Sequence, residues 1–132
     1  MTEAEPRPAF APGCHPISAH GAGAFAFAGM RHEGSILATP QGVRAIDATS
    51  IDDLGAGALA PLIAECAERP GSIEFLVVGT GARTAPIGRP LKELLKRAGV
   101  RCEAMATGPA LRVYNVMQAE GRRVAAALIA AP

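Results

Sequence analysis

The apolar run from Ile73 to Val78, closing on Val77-Val78-Gly79-Thr80-Gly81, is the segment that leaves the chain the fewest folds to choose from. A strand apolar on both sides has to be covered on both faces, so it belongs in the interior of a sheet that carries other layers above and below. The segments that follow supply those layers. Pro90 stands at a first helical position, Leu91, Leu94, Leu95 and Ala98 share one face, Lys92, Glu93, Lys96 and Arg97 share the other, and Gly99 provides a stop. Val100 to Ala106 reads as the next strand. Thr107 caps a helix to Glu120, Gly121 ends it, and Arg122 to Ile129 reads as a last strand.

Upstream of the run, Ala24 to Ala28 alternates, with Phe25 and Phe27 on one face, and His32-Glu33-Gly34 is placed to turn the chain. Ser35 to Thr39 and Val43 to Asp47, separated by Pro40-Gln41-Gly42, complete an expected antiparallel meander. Asp52 or Asp53 is positioned to cap the next helix, in which Leu59, Leu62, Ile63 and Cys66 recur on one face. Pro61 confines that helix to a start near Gly57 or Ala58, and Pro70-Gly71 ends it. The fold class is therefore α/β: a three-layer single domain, with an N-terminal antiparallel meander followed by αβαβαβ on a mixed, partly parallel central sheet. Residues 1–16, with four prolines, read as a disordered lead-in to a domain spanning 17–132.

Bulk properties exclude several function classes. Thirteen basic against twelve acidic residues give a net charge of +1, and the eleven arginines are dispersed, so there is no basic tract to draw nucleic acid. The longest apolar run, Val124 to Pro132, is about half the ~20 residues a membrane-spanning helix needs. Three scattered cysteines, Cys14, Cys66 and Cys102, suit a reducing compartment better than a disulfide framework, and the expectation is a cytoplasmic protein.

Chemistry is sparsely signalled. Gly79-Thr80-Gly81-Ala82-Arg83-Thr84 opens like a dinucleotide fingerprint but carries Thr84 where a third Gly or Ala is required, and the simpler reading is a tight exit from a buried strand. Cys14, His15 and His20 lack a fourth ligand and a metal-binding spacing. Cys66 and Cys102 fall on apolar faces without a nearby histidine, and no serine sits in a nucleophile elbow. On the helix after Thr107, Ala110, Val113, Tyr114 and Met117 form the inner face. Arg112 and Asn115 lie on the other, where a guanidinium suits a carboxylate-bearing partner or ligand. Neither a cofactor, a metal nor a catalytic residue is expected.

The segment Thr107-Gly108-Pro109-Ala110-Leu111-Arg112-Val113-Tyr114-Asn115, continuing through Glu120-Gly121-Arg122-Arg123, resembles a family of small domains from bacteria, archaea and eukaryotes. Its best-known member is mitochondrial complex I assembly factor 3. Val77 to Gly81 and Gly34-Ser35 extend the resemblance over about residues 17 to 129. It implies a three-layer αβ domain and, from the eukaryotic branch, a non-enzymatic role in building the quinone-binding module of NADH:ubiquinone oxidoreductase. Most bacterial relatives are proteins of unknown function, and some are encoded beside protein-translocation genes, which implies membrane-protein biogenesis. Leu111 and Val113 stand where the family often has Cys and Thr, a departure that points away from catalysis. The expected binding surface is Gly79, Thr80, Gly81, Thr107, Gly108, Arg112 and Asn115. Its expected occupant is a protein, with the chain held at the periphery of the inner membrane by that partner. The rival is a small-molecule or anion-binding cleft, or an enzyme, using the strand ends at Gly79–Gly81 and Thr107–Arg112. Pairing of β-meander edges in a homodimer is a third expectation.

Overall fold

A computed structural model describes residues 11–12 and 15–131. Among the described residues, nine strands and three helices form an α/β single domain: β1 (Ala11–Pro12), β2 (Ile17–Gly21), β3 (Ala24–Phe27), β4 (Met30–Glu33), β5 (Ile36–Thr39), β6 (Gly42–Ala45), α1 (Ala60–Glu68), β7 (Phe75–Gly79), α2 (Arg89–Arg97), β8 (Arg101–Met105), α3 (Thr107–Ala119) and β9 (Val124–Leu128). The main sheet runs β1-β6-β5-β9-β7-β8, and β2-β3-β4 form a smaller antiparallel sheet. The 73–78 run becomes β7, paired in parallel with β8 on one side and β9 on the other. β5 runs antiparallel to β9, so the main sheet is mixed.

Each face of the main sheet has its own core. Leu37, Leu76, Val78, Ala125 and Ala127 pack with Leu59, Leu62, Cys66, Leu91 and Leu95 of the segments forming α1 and α2. Ile36, Ala38, Val77, Ala126 and Leu128 pack on the opposite face with Ala110, Leu111 and Tyr114 of α3 and with Ile17, Phe25 and Phe27 of the small sheet. The chain steps from β7 to β8 through α2 on one face, then back across β7 to β9 through α3 on the other. Opposite steps on opposite faces give both crossovers one hand. β9 consists of Val-Ala-Ala-Ala-Leu, all buried, and its alanines keep both layers close to the middle of the sheet.

The three expected N-terminal strands divide between the two sheets. β3 joins the small sheet, while β5 and β6 join the large one. His32 and Glu33, expected as a turn, are strand residues of β4. The turn comes earlier, at Ala28-Gly29, with φ of 50° and 75°, and an equivalent turn at Ala22-Gly23 has φ of 52° and 74°. Both are two-residue hairpin loops with two left-handed residues, a conformation matched to strand twist but signalled by Asn-Gly or Asp-Gly rather than Ala-Gly. β2 was not expected as a strand. Most of the expected lead-in lies outside the described residues, and Ala11–Pro12 pair with Gly42–Val43 at the edge of the main sheet.

The helices start close to where their prolines require. α1 begins at Ala60 with Pro61 in its first turn, and α2 at Arg89 with Pro90 likewise. Asp53 does not cap α1. Its carboxylate accepts the Thr49 amide at 2.9 Å, the Thr49 hydroxyl at 3.0 Å and the Ser50 amide at 3.3 Å around a short 3₁₀ turn, Ile51–Asp53. Those bonds, led by the Thr49 amide, hold its pKa below the usual carboxylate value.

Ala28 is exposed at φ 50°, a conformation that costs an L residue other than Asn or Asp roughly 1–2 kcal/mol. Replacing it with Asn is expected to raise the unfolding free energy by about 0.5–1 kcal/mol in urea titrations, and no gain would mean that this turn is unstrained.

Candidate functional site

The expected surface gathers where β7, β8 and β9 end and α3 begins, and the geometry there is set by Thr107. Its side chain is fully buried. The hydroxyl donates to the Ile129 carbonyl at 2.7 Å and accepts the Gly81 amide at 2.9 Å, while the Thr107 amide donates to the Gly81 carbonyl at 2.8 Å. Thr107 is thus the first residue of α3 rather than its side-chain cap, and its hydroxyl bridges the chain leaving β7 to the chain leaving β9. The Ile129 amide donates to the Gly79 carbonyl at 2.9 Å, and the Thr80 amide to the Met105 carbonyl at 2.8 Å, which joins the third strand to the same knot.

Gly79 has no room for a side chain. A Cβ there would lie 2.9 Å from Leu128 Cδ2, 2.9 Å from Thr107 Oγ1 and 3.0 Å from Thr107 Cα. Gly81 needs its glycine for another reason, a φ of 105°. Thr80 turns its hydroxyl inward, to the Arg83 carbonyl at 2.5 Å, and accepts the Ala85 amide at 3.1 Å, which shapes the loop toward α2. The dinucleotide-like spacing is therefore spent on a strand exit whose polar groups bond one another.

Asn115 is also occupied. Its Oδ1 accepts the Ile17 amide at 2.8 Å and its Nδ2 donates to the Ile17 carbonyl at 2.7 Å, so the side chain acts as a neighbouring strand for β2. Tyr114, fully buried, donates its hydroxyl to the His15 carbonyl at 3.1 Å. Together they fasten the small sheet to α3. These partners were not readable in the sequence because β2 was not.

Arg112, one turn before Asn115 on the same flank of α3, is not engaged as Asn115 is. It is exposed and has no hydrogen bond or ion pair among the described residues. One turn along α3 lies Val116, which is 58% exposed and was not singled out in the sequence. Pro109 and Ala119 complete this outer stripe.

The first turn of α3 has little left for an anion. The Thr107 amide is bonded to Gly81, Pro109 has no N–H, and the Ala110 amide donates to Ala106. Only the Gly108 amide is unengaged among the described residues, whereas an anion site at a helix start draws on several converging amides. Cys66 is buried and Cys102 half-buried, and burial pushes both thiols above their usual pKa, which disfavours the thiolate. Cys14 lies outside the described residues, and no group of three metal-ligating side chains occurs among the described ones. No helix among the described residues is long and apolar enough to cross a membrane.

A mixed sheet flanked by two helices on one face and by one helix plus a small β-sheet on the other, knotted through Thr107 and Gly79, defines the class of domain. The chain belongs to the family described as protein of unknown function (DUF498/DUF598), which it matches over residues 17–129. It is 40% identical over 126 residues to an uncharacterized Rhodobacter capsulatus protein, covering 95% of this chain and 91% of that one. It is 43% identical over 60 residues to the zebrafish (Danio rerio) NADH dehydrogenase [ubiquinone] 1 alpha subcomplex assembly factor 3, covering 46% of this chain and 34% of that protein. The crystal structure of a Bartonella henselae protein, described as an outer membrane protein, superposes with a TM-score of 0.85 at 37% identity, covering 92% of this chain and 99% of that one. The solution structure of a Rhodopseudomonas palustris protein gives 0.75 at 40% identity, covering 100% of this chain and 94% of that one.

Four substitutions separate structural roles from surface ones. Gly79→Ala is expected to cost at least about 2 kcal/mol through overpacking against Thr107 and Leu128. Thr107→Val and Asn115→Ala each strand backbone groups and should cost about 1–3 kcal/mol. Arg112→Ala, the surface control, should stay within about 0.5 kcal/mol of the parent. Urea unfolding measures all four, and an Asn115→Ala variant as stable as Arg112→Ala would overturn the assignment of Asn115 to the fold.

Proposed function

We infer that this protein is a non-enzymatic binding protein of the assembly-factor kind, and that its contact surface centres on the outer face of α3. The observation that carries this reading is Arg112: an exposed, unengaged guanidinium beside an exposed valine, on a helix whose inner side is locked by Tyr114 and whose flank is locked by Asn115. A forked cation with an apolar neighbour on a rigid support suits a carboxylate-bearing protein segment, and arginine is common at the energetic centres of interfaces. The zebrafish relative, by its name an assembly factor for NADH dehydrogenase, supports a subunit of a respiratory complex or another membrane protein as the client. The chain then works in the cytoplasm, and its partner brings it to the inner membrane. Gly79, Thr80, Gly81, Thr107 and Gly108 form the base of that surface and hold α3 in place.

The small-molecule alternative has less to draw on, because the amides at the start of α3 are nearly all engaged. A screen of phosphates, nucleotides and carboxylates is expected to leave the melting temperature unchanged. A bound ligand at a hundred times its Kd would add about 2.7 kcal/mol and be seen at once, which would move the reading to the cleft.

The protein-binding reading is tested in a host that contains NADH:ubiquinone oxidoreductase. Deleting the gene is expected to lower the amount of assembled complex on native gels and the NADH oxidation of membranes. The parent chain should restore both, and the Arg112→Glu/Val116→Glu double variant, although folded, should not. Full complementation by that variant would refute the α3 surface.

A further inference from the structure

We propose that β8 is a self-recognition edge, along which a second copy of this chain pairs antiparallel about a two-fold axis at Cys102 to continue the main sheet. The edge belongs to a different element from the outer face of α3, and the inference does not rest on the function proposed for that face.

β8 ends the sheet, with β7 as its one strand neighbour. The ladder fixes which of its backbone groups are free. The Arg101 amide donates to the Glu74 carbonyl and the Met105 carbonyl accepts from the Thr80 amide, so the odd-numbered residues turn their N–H and C=O toward β7. Those of Cys102 and Ala104 consequently point away from the sheet, and neither residue has a hydrogen bond from these groups to any other described residue. One step further on, the Ala106 amide is already given to the Thr84 hydroxyl at 3.3 Å. At the other end the Val100 amide is given to the Leu95 carbonyl at 2.9 Å, so the open stretch is short and its outward residues are Cys102 and Ala104.

The other edges offer less. β1 is two residues long and ends on a proline, which has no amide to offer. β2 has its Ile17 amide and carbonyl taken by Asn115. β4 carries Arg31 and Glu33 at the same spacing as Arg101 and Glu103, but there the two charges meet each other at 3.1 Å. In β8, Arg101 and Glu103 are both exposed, on the same side of the strand, and neither has an ion-pair partner among the described residues.

Backbone direction and charge together select one register. Outward-facing residues must pair with outward-facing residues, since they exchange the hydrogen bonds of an antiparallel ladder. Two-fold axes at Cys102, Glu103 and Ala104, the central residues of the strand, satisfy this. With the axis at Ala104, Glu103 would face Met105 of the other copy and Arg101 would find no acidic partner, while Cys102 would meet the Ala106 amide that Thr84 holds. With the axis at Glu103, the two Glu103 carboxylates would stand directly opposite, a like-charge pair that opposes association. With the axis at Cys102, the Val100 amide stays with the Leu95 carbonyl, but Arg101 of each copy faces Glu103 of the other, so the four unpaired charges close into two ion pairs. These positions are the non-hydrogen-bonded ones, where side chains of opposed residues lie closest. Lys92, whose charge acts on Cys102, lies on the helix-layer side of the edge and is exposed, so its ammonium stays in water when the strands meet.

Sedimentation equilibrium of the full chain and of three variants tests the register, and since Arg101 and Glu103 are exposed every variant should fold. The parent is expected to dimerise. Glu103→Arg puts arginine against arginine at both pairs and Arg101→Glu puts glutamate against glutamate, so each should weaken the dimer by at least about tenfold. An equimolar mixture of the two single variants restores every Arg–Glu pair and should dimerise like the parent, as should the R101E/E103R double variant. A parent that stays monomeric at its highest soluble concentration would overturn the proposal, as would single variants that dimerise as well as the parent or a mixture that stays monomeric.

Discussion

The Thr107 hydroxyl is the bond on which the rest of the architecture depends. It joins the exits of two parallel strands, one from β7 and one from β9, and it does so from the first residue of the helix that connects β8 to β9. A buried hydroxyl with both donor and acceptor roles filled contributes in proportion to what its loss would strand. Here that is the Gly81 amide and the Ile129 carbonyl. The approach is possible only because Gly79 presents no side chain to Thr107, so glycine and threonine form one unit although 28 positions separate them. Once α3 is seated, its inner face meets Val77, Ala126 and Leu128, and the alanines of β9 let it lie close.

A second dependence follows along the same helix. Tyr114 and Asn115 are adjacent residues that both reach the N-terminal segment, one at the His15 carbonyl and the other at both backbone groups of Ile17. The small sheet is held to the body by these bonds and by Phe25 and Phe27 packed beneath it. Its far turn is tied by the Gly23 amide to the Ala131 carbonyl. Ser35 adds a third tie, donating to Ala48 at 2.6 Å and accepting the Ala130 amide at 2.9 Å.

Long-period signals in the sequence carried well, and short ones did not. The buried strand β7, the amphipathic α2 between Pro90 and Gly99, and the strand–helix–strand order after residue 73 were all legible, because a sustained apolar run or a helical stripe is compatible with few local structures. The N-terminal third was harder. Strands of four residues leave little periodicity, and the turns at Ala22-Gly23 and Ala28-Gly29 lack Asn or Asp, so β2 and β4 had no flanking punctuation. At the candidate site, sequence could place Thr107 and Asn115 on α3 but not assign their partners, which come from residues 26 and 98 positions away in the chain. Side-chain hydrogen bonds of that range have no local pattern.

For the same reason the family is easier to recognise than its activity. Gly79, Gly81, Thr107, Tyr114 and Asn115 carry most of the resemblance, and each is committed to an internal contact: a close approach, a positive φ, a bridging hydroxyl or a docked strand. Residues spent this way report an architecture and constrain its chemistry only by withdrawing polar groups from solvent. Of the side chains left outward, Arg112 and Val116 on α3 and Arg101 and Glu103 on β8 lie on rigid elements whose inner sides are fixed. Side chains on such supports keep their mutual geometry. Recognition of an extended protein surface requires only that, whereas small-molecule chemistry requires convergent polar groups in a concave site.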